Sequence, residues 1–319
     1  MLIKKPVLVD CDTGIDDILA LAYVMKEETL NVLGVTTVAG NVNLKLTTYN
    51  TLNALHLMGR DELPLAKGAA QPMARELKDA AYIHGGTGLG AYTFPEETDK
   101  QPVELSASEF MAKVLREYPE PVTILAVGPL TNVAMLLKNH PDVQPKIKEV
   151  VFMGGSLRTG NPTPVATFNV LVDPEAAKFV IGTKVPFVMC SLDCTRGSYL
   201  TPEEIESTKA YPNPVADMVR GVTAHYLATT SKNNTMERNR PGVAVHDLCT
   251  AMYLTHPEFF EGEHYFADVE TKGELTTGFT LVDFEDNLRK PPEDKTVFFL
   301  KKVDREAYVK KFMEQLARY

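Results

Sequence analysis

Four aspartates fall within eight residues of an otherwise apolar or small run, Val7-Leu8-Val9-Asp10-Cys11-Asp12-Thr13-Gly14-Ile15-Asp16-Asp17. Carboxylates at that density repel one another, so their grouping calls for a physical reason. One reason is structural. Asp16 and Asp17 would complement the positive end of a helix dipole, and Asp10 would hydrogen-bond the turn. The other is chemical: a hard cation neutralises the set. Ca²⁺ takes roughly 6–8 oxygen ligands in irregular geometry, which carboxylates from a turn and a helix start can supply. Mg²⁺ needs stricter octahedral placement.

A strand and a helix must position these groups. Pro6 to Val9 reads as a buried strand, and Ile15, Ile18, Leu19, Ala22 and Met25 recur at helical spacing. Thr13-Gly14 is then the tight turn between them. A second strand is expected over 31–37, with Val38-Ala39-Gly40-Asn41 at its carboxyl end and a helix over 44–58 that stops at Gly59. Residues 61–80 read as a connecting segment. The glycine-rich stretch 82–90 carries His84 but lacks G-x-G-x-x-G spacing, so a mobile loop is favoured over a nucleotide cradle. Further strands are expected over 122–127, 149–153 and 185–192. Helices are expected over 106–118, 131–138, from Pro174, from Pro202, over 213–232, 246–254 and 304–319. The helices from Pro174 and Pro202 begin with an Asp or Thr cap and Pro at the first turn. Asn233 to Arg240 reads as a polar flap, and 265–284 as a hairpin turning at Lys272-Gly273.

Strands alternating with helices predict an α/β fold: an open, mostly parallel sheet with helices on both faces and a Rossmann-like core, with a small C-terminal hairpin. No low-complexity linker divides residues 1–319, so one domain is expected. In such sheets the site lies outside the carboxyl ends of the strands. Asp10, Asp12, Asn41 and the 127–132 turn all fall there.

A net charge of −9 argues against nucleic acid or an anionic membrane as partner. No stretch approaches the roughly 18 apolar residues of a membrane span. Met-Leu-Ile-Lys-Lys-Pro lacks the apolar core of a signal peptide, so a cytoplasmic location is expected. Cys11, Cys190, Cys194 and Cys249 follow no zinc pattern and read as buried thiols in a reduced compartment.

Val9-Asp10-Cys11-Asp12-Thr13-Gly14-Ile15-Asp16-Asp17 resembles the N-terminal signature of the nucleoside hydrolases, the inosine-uridine-preferring N-ribohydrolases. Val-Ala-Gly-Asn (38–41), His-Gly-Gly-Thr-Gly-Leu (84–89), Gly-Pro-Leu-Thr-Asn (128–132), Met-Gly-Gly (153–155), Phe-Asn-Val-Leu-Val-Asp-Pro-Glu-Ala-Ala (168–177) and Val-His-Asp (245–247) follow in that family's order. The resemblance implies the nucleoside hydrolase fold and hydrolysis of the N-glycosidic bond of ribonucleosides to ribose and free base. It implies Ca²⁺ held by Asp12, Asp17, Asp247 and the carbonyl of Val127, where some members have threonine. Asp12 would act as general base toward a water at the metal, through an oxocarbenium-like transition state.

Asp16, Asn41 and Asn169 match positions that hydrogen-bond the ribose 2′- and 3′-hydroxyls. Asn161 and Thr167 match those that hold the 5′-hydroxyl. The family's usual residue at the second is Glu, so weaker 5′-hydroxyl binding, or tolerance of a changed 5′ group, is expected. His84 and His246 match two catalytic histidines, and an unperturbed pKa of about 6.5 suits an acid at neutral pH. Next to Asp247, His246 is the better-placed acid, while His84 would contact the base. His225 and Tyr226 would line the flap. The chain has no tryptophan, unlike purine-specific relatives, which stack the base between indoles. A homodimer or homotetramer is implied.

Two other readings stand beside this one. Asp10-x-Asp12 after a strand also resembles the nucleophile motif of haloacid-dehalogenase-like phosphohydrolases, with Asp10 attacking phosphorus. A catalytically idle nucleoside-binding protein on the same fold is the third.

Overall fold

The computed structural model describes residues 4–232 and 242–319. The first part of the chain contains β1 (Lys5–Cys11), α1 (Ile15–Lys26), β2 (Leu30–Thr37), α2 (Leu44–Leu57), β3 (Leu65–Lys67) and α3 (Ala81–His84). Next come α4 (Ala107–Glu117), β4 (Val122–Ala126), α5 (Thr131–Asn139), β5 (Ile147–Met153), α6 (Phe168–Val172), α7 (Pro174–Ile181) and β6 (Phe187–Cys190). They are followed by α8 (Leu192–Thr195), β7 (Tyr199–Leu200), α9 (Pro202–Ser207) and α10 (Pro214–Lys232). The last part holds β8 (Val243–Ala244), α11 (His246–Tyr253), β9 (Phe260–Tyr265), β10 (Ala267–Val269), β11 (Thr280–Val282), β12 (Val297–Val303) and α12 (Arg305–Leu316).

One sheet dominates, in the order β3-β2-β1-β4-β5-β6-β12-β9. Its strands pair in parallel except β9, which runs antiparallel to β12 at the edge. Side chains alternate across it as strand geometry requires. In β1, Val7 and Val9 enter the core under α1, α2, α10, α11 and α12, while Leu8 faces the core under α4, α5 and α7. Both faces are therefore buried, and the strands read as near-continuous apolar runs. The expected mostly parallel sheet with helices on both faces is what forms.

The order of the strands reverses between β1 and β4. Successive strands build outward in opposite directions from that pair, which leaves a crevice at their carboxyl ends. Asp12 follows β1, and Val127 follows β4. The most acidic stretch of the chain thus lies at the switch point.

Three elements depart from expectation. The 61–80 segment contains β3, an edge strand paired with β2 through Leu65, Ala66 and Lys67. β12 and β9, which sequence patterning left unassigned, extend the sheet beyond β6. Four consecutive apolar residues, Val297 to Leu300, carry the β12 contacts with β6. The C-terminal hairpin is β10 with β11, but a ten-residue connection (270–279) replaces the tight Lys272-Gly273 turn. The expected flap at 233–240 lies outside the described residues. Among the described residues, no helix is long and apolar enough to cross a membrane.

Candidate active site

Asp17 explains how the β1–α1 turn holds its shape. Its Oδ1 accepts the Asp12 amide at 3.1 Å, and its Oδ2 accepts the Gly14 amide at 2.9 Å and Asn41 Nδ2 at 2.9 Å. A carboxylate thus caps the first turn of its own helix, satisfying amides that the helix cannot. The structural reading of Asp17 is correct as far as it goes. Asp10 also has structural partners. Its Oδ1 accepts Thr36 Oγ1 at 2.5 Å and Asn132 Nδ2 at 2.7 Å. Fully buried, it is pushed up to about 7, by burial first and against the pull of those two donors.

Asp12 differs from Asp17 but shares with Asp10, whose Oδ2 is buried without a partner, one unsatisfied oxygen. Its Oδ2 accepts the Asn41 amide at 2.7 Å, while its Oδ1 is buried without a hydrogen-bond partner. Oxygens of Asp16, Asp17 and Asp247 lie within 4.8 Å of one another, Asp247 arriving from the first turn of α11. Burial raises the Asp12 and Asp247 carboxyls well above the usual range, and the neighbouring carboxylates add to it. Asp17 is raised by burial and by Asp16. An orphaned buried carboxylate oxygen beside three converging carboxylates is a donor set suited to a hard divalent cation. Asp16, expected only to hold substrate, joins that group. The carbonyl of Val127 accepts Asn169 Nδ2 at 2.6 Å. A carbonyl has a second lone pair, so this bond leaves room for another partner.

Above this group a cleft of about 860 Å³, counted to its open mouth, is lined by Asp16, Asn41, His84, Val127, Asn161, Asn169, His246 and Asp247, among others. Asp12 and Asp17 are not in its lining. Both are fully buried.

His84 is not on a loop. It ends the one-turn helix α3 and is buried, with Nδ1 accepting the amide of Ile15 at 3.1 Å. The helix amide can only donate, so Nδ1 holds a lone pair and the neutral ring carries its proton on Nε2. Burial first, then His225 and His246, lower its pKa, against the pull of Asp16. His84 is therefore a neutral hydrogen-bond donor. His246 pairs through Nδ1 with Thr195 Oγ1 at 2.8 Å, which fixes the ring plane at the N-terminus of α11.

Two expected residues fall elsewhere. Thr167, assigned to the 5′-hydroxyl, does not line the cleft. It is buried, and its Oγ1 accepts the amide of Gly155 at 3.0 Å. Phe168 and Asn169, which follow it, do line the cleft. Among the flap candidates, Tyr226 lines the cleft, its ring 6.4 Å from that of His84. His225 is absent from the lining and lies against Gly90. Lining residues that were not anticipated include Met153, Pro162, Phe168 and, just after α8, Arg196. The position of Arg196 beyond the carboxyl end of β6 was the available signal.

Asp10 is buried, hydrogen-bonded by Thr36 and Asn132 and outside the cleft lining, a placement with nothing in it to favour attack on phosphorus.

The family model for the inosine-uridine preferring nucleoside hydrolases matches residues 7–310. The chain belongs to that family. This nucleoside hydrolase is 39% identical over 316 residues to a pyrimidine-specific ribonucleoside hydrolase RihA of Shewanella sp. (strain MR-7), covering 99% of this chain and 97% of that one. It is 42% identical over 285 residues to a non-specific ribonucleoside hydrolase RihC of Salmonella paratyphi A, covering 89% and 90%. Among solved structures, a plant nucleoside hydrolase superposes with a TM-score of 0.91 at 27% identity, covering 99% of each chain. A purine-preferring ribonucleoside hydrolase from Gardnerella vaginalis gives 0.91 at 25% identity, covering 98% of each.

The nucleoside hydrolase cleft depends on close backbone approach at Gly40. A Cβ there would sit 2.0 Å from Asp12 Oδ2. The Gly40→Ala protein is expected to fold with its Asp12 carboxylate displaced. Displacements of about 1 Å cost roughly 100-fold in positioned reactions. Hydrolysis within threefold of wild type would show that Asp12 tolerates the shift.

Proposed function

We propose that the cleft hydrolyses the N-glycosidic bond of ribonucleosides, releasing ribose and free base. The observation that carries this reading is the buried carboxylate group at the β1/β4 switch point, opening onto a cleft whose other walls hold two histidines. Asp12, Asp17, Asp247 and the Val127 carbonyl, with Asp16 beside them, would hold a Ca²⁺ that supplies an acidified water and an anchor for the ribose diol.

The chain's own groups do the rest. Asp12, with one oxygen fixed by Asn41 and the other unpartnered, accepts the proton of the attacking water. The surrounding carboxylates favour positive charge developing on the ribosyl ring. Asp16, Asn41 and Asn169 face the sugar from the cleft wall. His246, oriented by Thr195, delivers a proton to the leaving base, and His84 donates a hydrogen bond to it from Nε2.

Pyrimidine ribonucleosides are the proposed shared ground between this chain and its relatives, one named pyrimidine-specific and the other non-specific. The absence of tryptophan from the chain fits a base held without indole stacking. The test is release of base and reducing sugar from uridine, cytidine, inosine and adenosine. Release from uridine and cytidine is expected. Nucleoside binding without release of any base would favour the idle-binder reading instead.

His84 supplies a sharper check. Its Nδ1 lone pair is committed to the Ile15 amide and burial lowers its pKa, so the proposed role is that of a neutral donor. Replacing it by Gln is expected to lower kcat/KM for uridine about tenfold, the worth of one hydrogen bond, by the same factor at every pH. A shift in the acid limb of the profile would instead make His84 the titrating acid.

A further inference from the structure

Outside the cleft, three thiols meet in the core. Cys190 ends β6, Cys194 lies in α8 and Cys249 in α11. All three are buried, and their sulfurs lie within 4.8 Å of one another. Among the described residues, no fourth histidine, cysteine, aspartate or glutamate joins them. Cys249 is far from the other two in sequence, and the docking of α11 brings it there. Ser191 Oγ donates to the Leu300 carbonyl of β12 at 2.7 Å and accepts the Cys194 amide at 3.3 Å. That pins the start of α8 to the sheet between Cys190 and Cys194.

Three sulfurs around one ion, at about 2.3 Å each, stand roughly 4.0 Å apart. The group reaches that spacing by contracting less than about 1 Å. Sulfur ligands select soft ions. Structural zinc sites take four ligands, and this group supplies three. Charge narrows the choice further. The thiols sit in the apolar core under α1, α10, α11 and α12, where an uncompensated charge is costly. Ligand thiols lose protons as the ion binds. A monovalent ion displaces one proton and leaves the group neutral, whereas a divalent ion must displace two.

We propose that Cys190, Cys194 and Cys249 bind one Cu(I) ion in three-coordinate geometry. The site stands directly behind a residue of the cleft. Thr195, which follows Cys194, pairs with His246 Nδ1 at 2.8 Å. Cys249 lies within one turn of His246 on α11. Drawing the sulfurs together moves α8 against α11, and so shifts the Thr195–His246 pair. Occupancy thereby slows release of base. That consequence rests on the proposed acid role of His246, and the binding itself does not.

The test titrates the protein, in excess Ca²⁺ and without oxygen, with Cu(I) against a chromogenic Cu(I) chelator. One ion per chain is expected, with three sulfur neighbours counted by X-ray absorption at the copper edge. Alanine at any one of the three cysteines weakens binding more than about 100-fold, beyond the cost of losing an outer partner. Cys11→Ala, at the remaining cysteine, keeps the affinity. Copper held by nitrogen or oxygen, or lost in Cys11→Ala, overturns the proposal, as does Zn²⁺ displacing Cu(I) from the three sulfurs. Should the alanine variants not fold, the sulfur count on the wild type decides. Because the thiols are buried, loading is repeated by refolding from denaturant with the ion present, and failure by both routes overturns the proposal. Cu(I) must also raise Tm, as an ion bound to the folded group does. A lowered Tm means capture by unfolded thiols and overturns it. On loading, the His246 ring resonances shift and uridine turnover falls in step with occupancy. Unchanged resonances and turnover at full occupancy overturn the link to His246. If uridine releases no base even without copper, the hydrolytic reading falls, and the copper stoichiometry still decides this one.

Discussion

Asp12→Asn is expected to release base from uridine at least about 10³-fold more slowly than wild type, while its metal-free form melts at a higher temperature. The two halves have separate causes. General-base catalysis contributes about 10²- to 10⁴-fold, and the substitution removes the base while sparing the shape. Asparagine can still accept the Asn41 amide that Asp12 Oδ2 accepts at 2.7 Å. It also removes a buried charge that lies against Asp17 and Asp16, which relieves repulsion in the metal-free fold. Activity lost together with stability would mean only that the site collapsed. Activity retained within tenfold would remove Asp12 from the base role altogether.

Metal removal should make stability depend on pH in an unusual direction. Asp10, Asp12, Asp17 and Asp247 all have folded-state pKa values raised, in each case by burial first. Between the unfolded carboxyl value of about 4 and the raised folded values, the native chain binds more protons than the unfolded chain. Stability therefore falls as pH rises through that window. For Asp10 alone, raised from 3.8 to about 7, the loss is on the order of 4 kcal/mol by pH 8. That corresponds to a Tm lower by roughly 6 °C. A divalent cation competes with those protons, so it should restore Tm most at high pH and least near pH 5. At a hundredfold excess over its Kd it contributes about 2.7 kcal/mol. Thermal melts of chelated protein from pH 5 to 8, with and without Ca²⁺ or Mg²⁺, make the measurement. A chelated protein whose Tm is flat or rising over that range would mean the carboxylates are ionised and compensated by the protein itself. A larger rescue by Mg²⁺ than by Ca²⁺ would overturn the choice of cation.

Much of this was legible in the chain. Short apolar runs located β1, β2 and β4, and helical periodicity located α1, α2 and α5, because both are local properties of the chain. Caps were equally readable. Ser106, Asp173 and Thr201 each accept the amide three residues on, as short-range chemistry dictates. The acidic stretch announced itself because four carboxylates so close in sequence cannot be far apart in space.

What lay beyond the sequence was pairing at a distance. Nothing local in Leu65-Ala66-Lys67 marks it as a strand. It becomes one because β2 offers an edge. Thr167 sits at a motif position, yet the backbone turns it toward Gly155, and only its neighbours reach the cleft. His84 read as a base-contacting histidine on a mobile loop, and the structure places it at the end of α3 with the Ile15 amide on its Nδ1 lone pair, fixing the tautomer from 69 residues away. Arg196 shows the same limit. Its sequence neighbours say nothing of a cleft, and it reaches one because β6 ends three strands from the aspartates. Sequence determined which residue types could do the chemistry, since that follows from side-chain composition and spacing. The fold alone decided which of them share a cavity and which are neutral. Burial and long-range hydrogen bonds exist only once the sheet has closed over them.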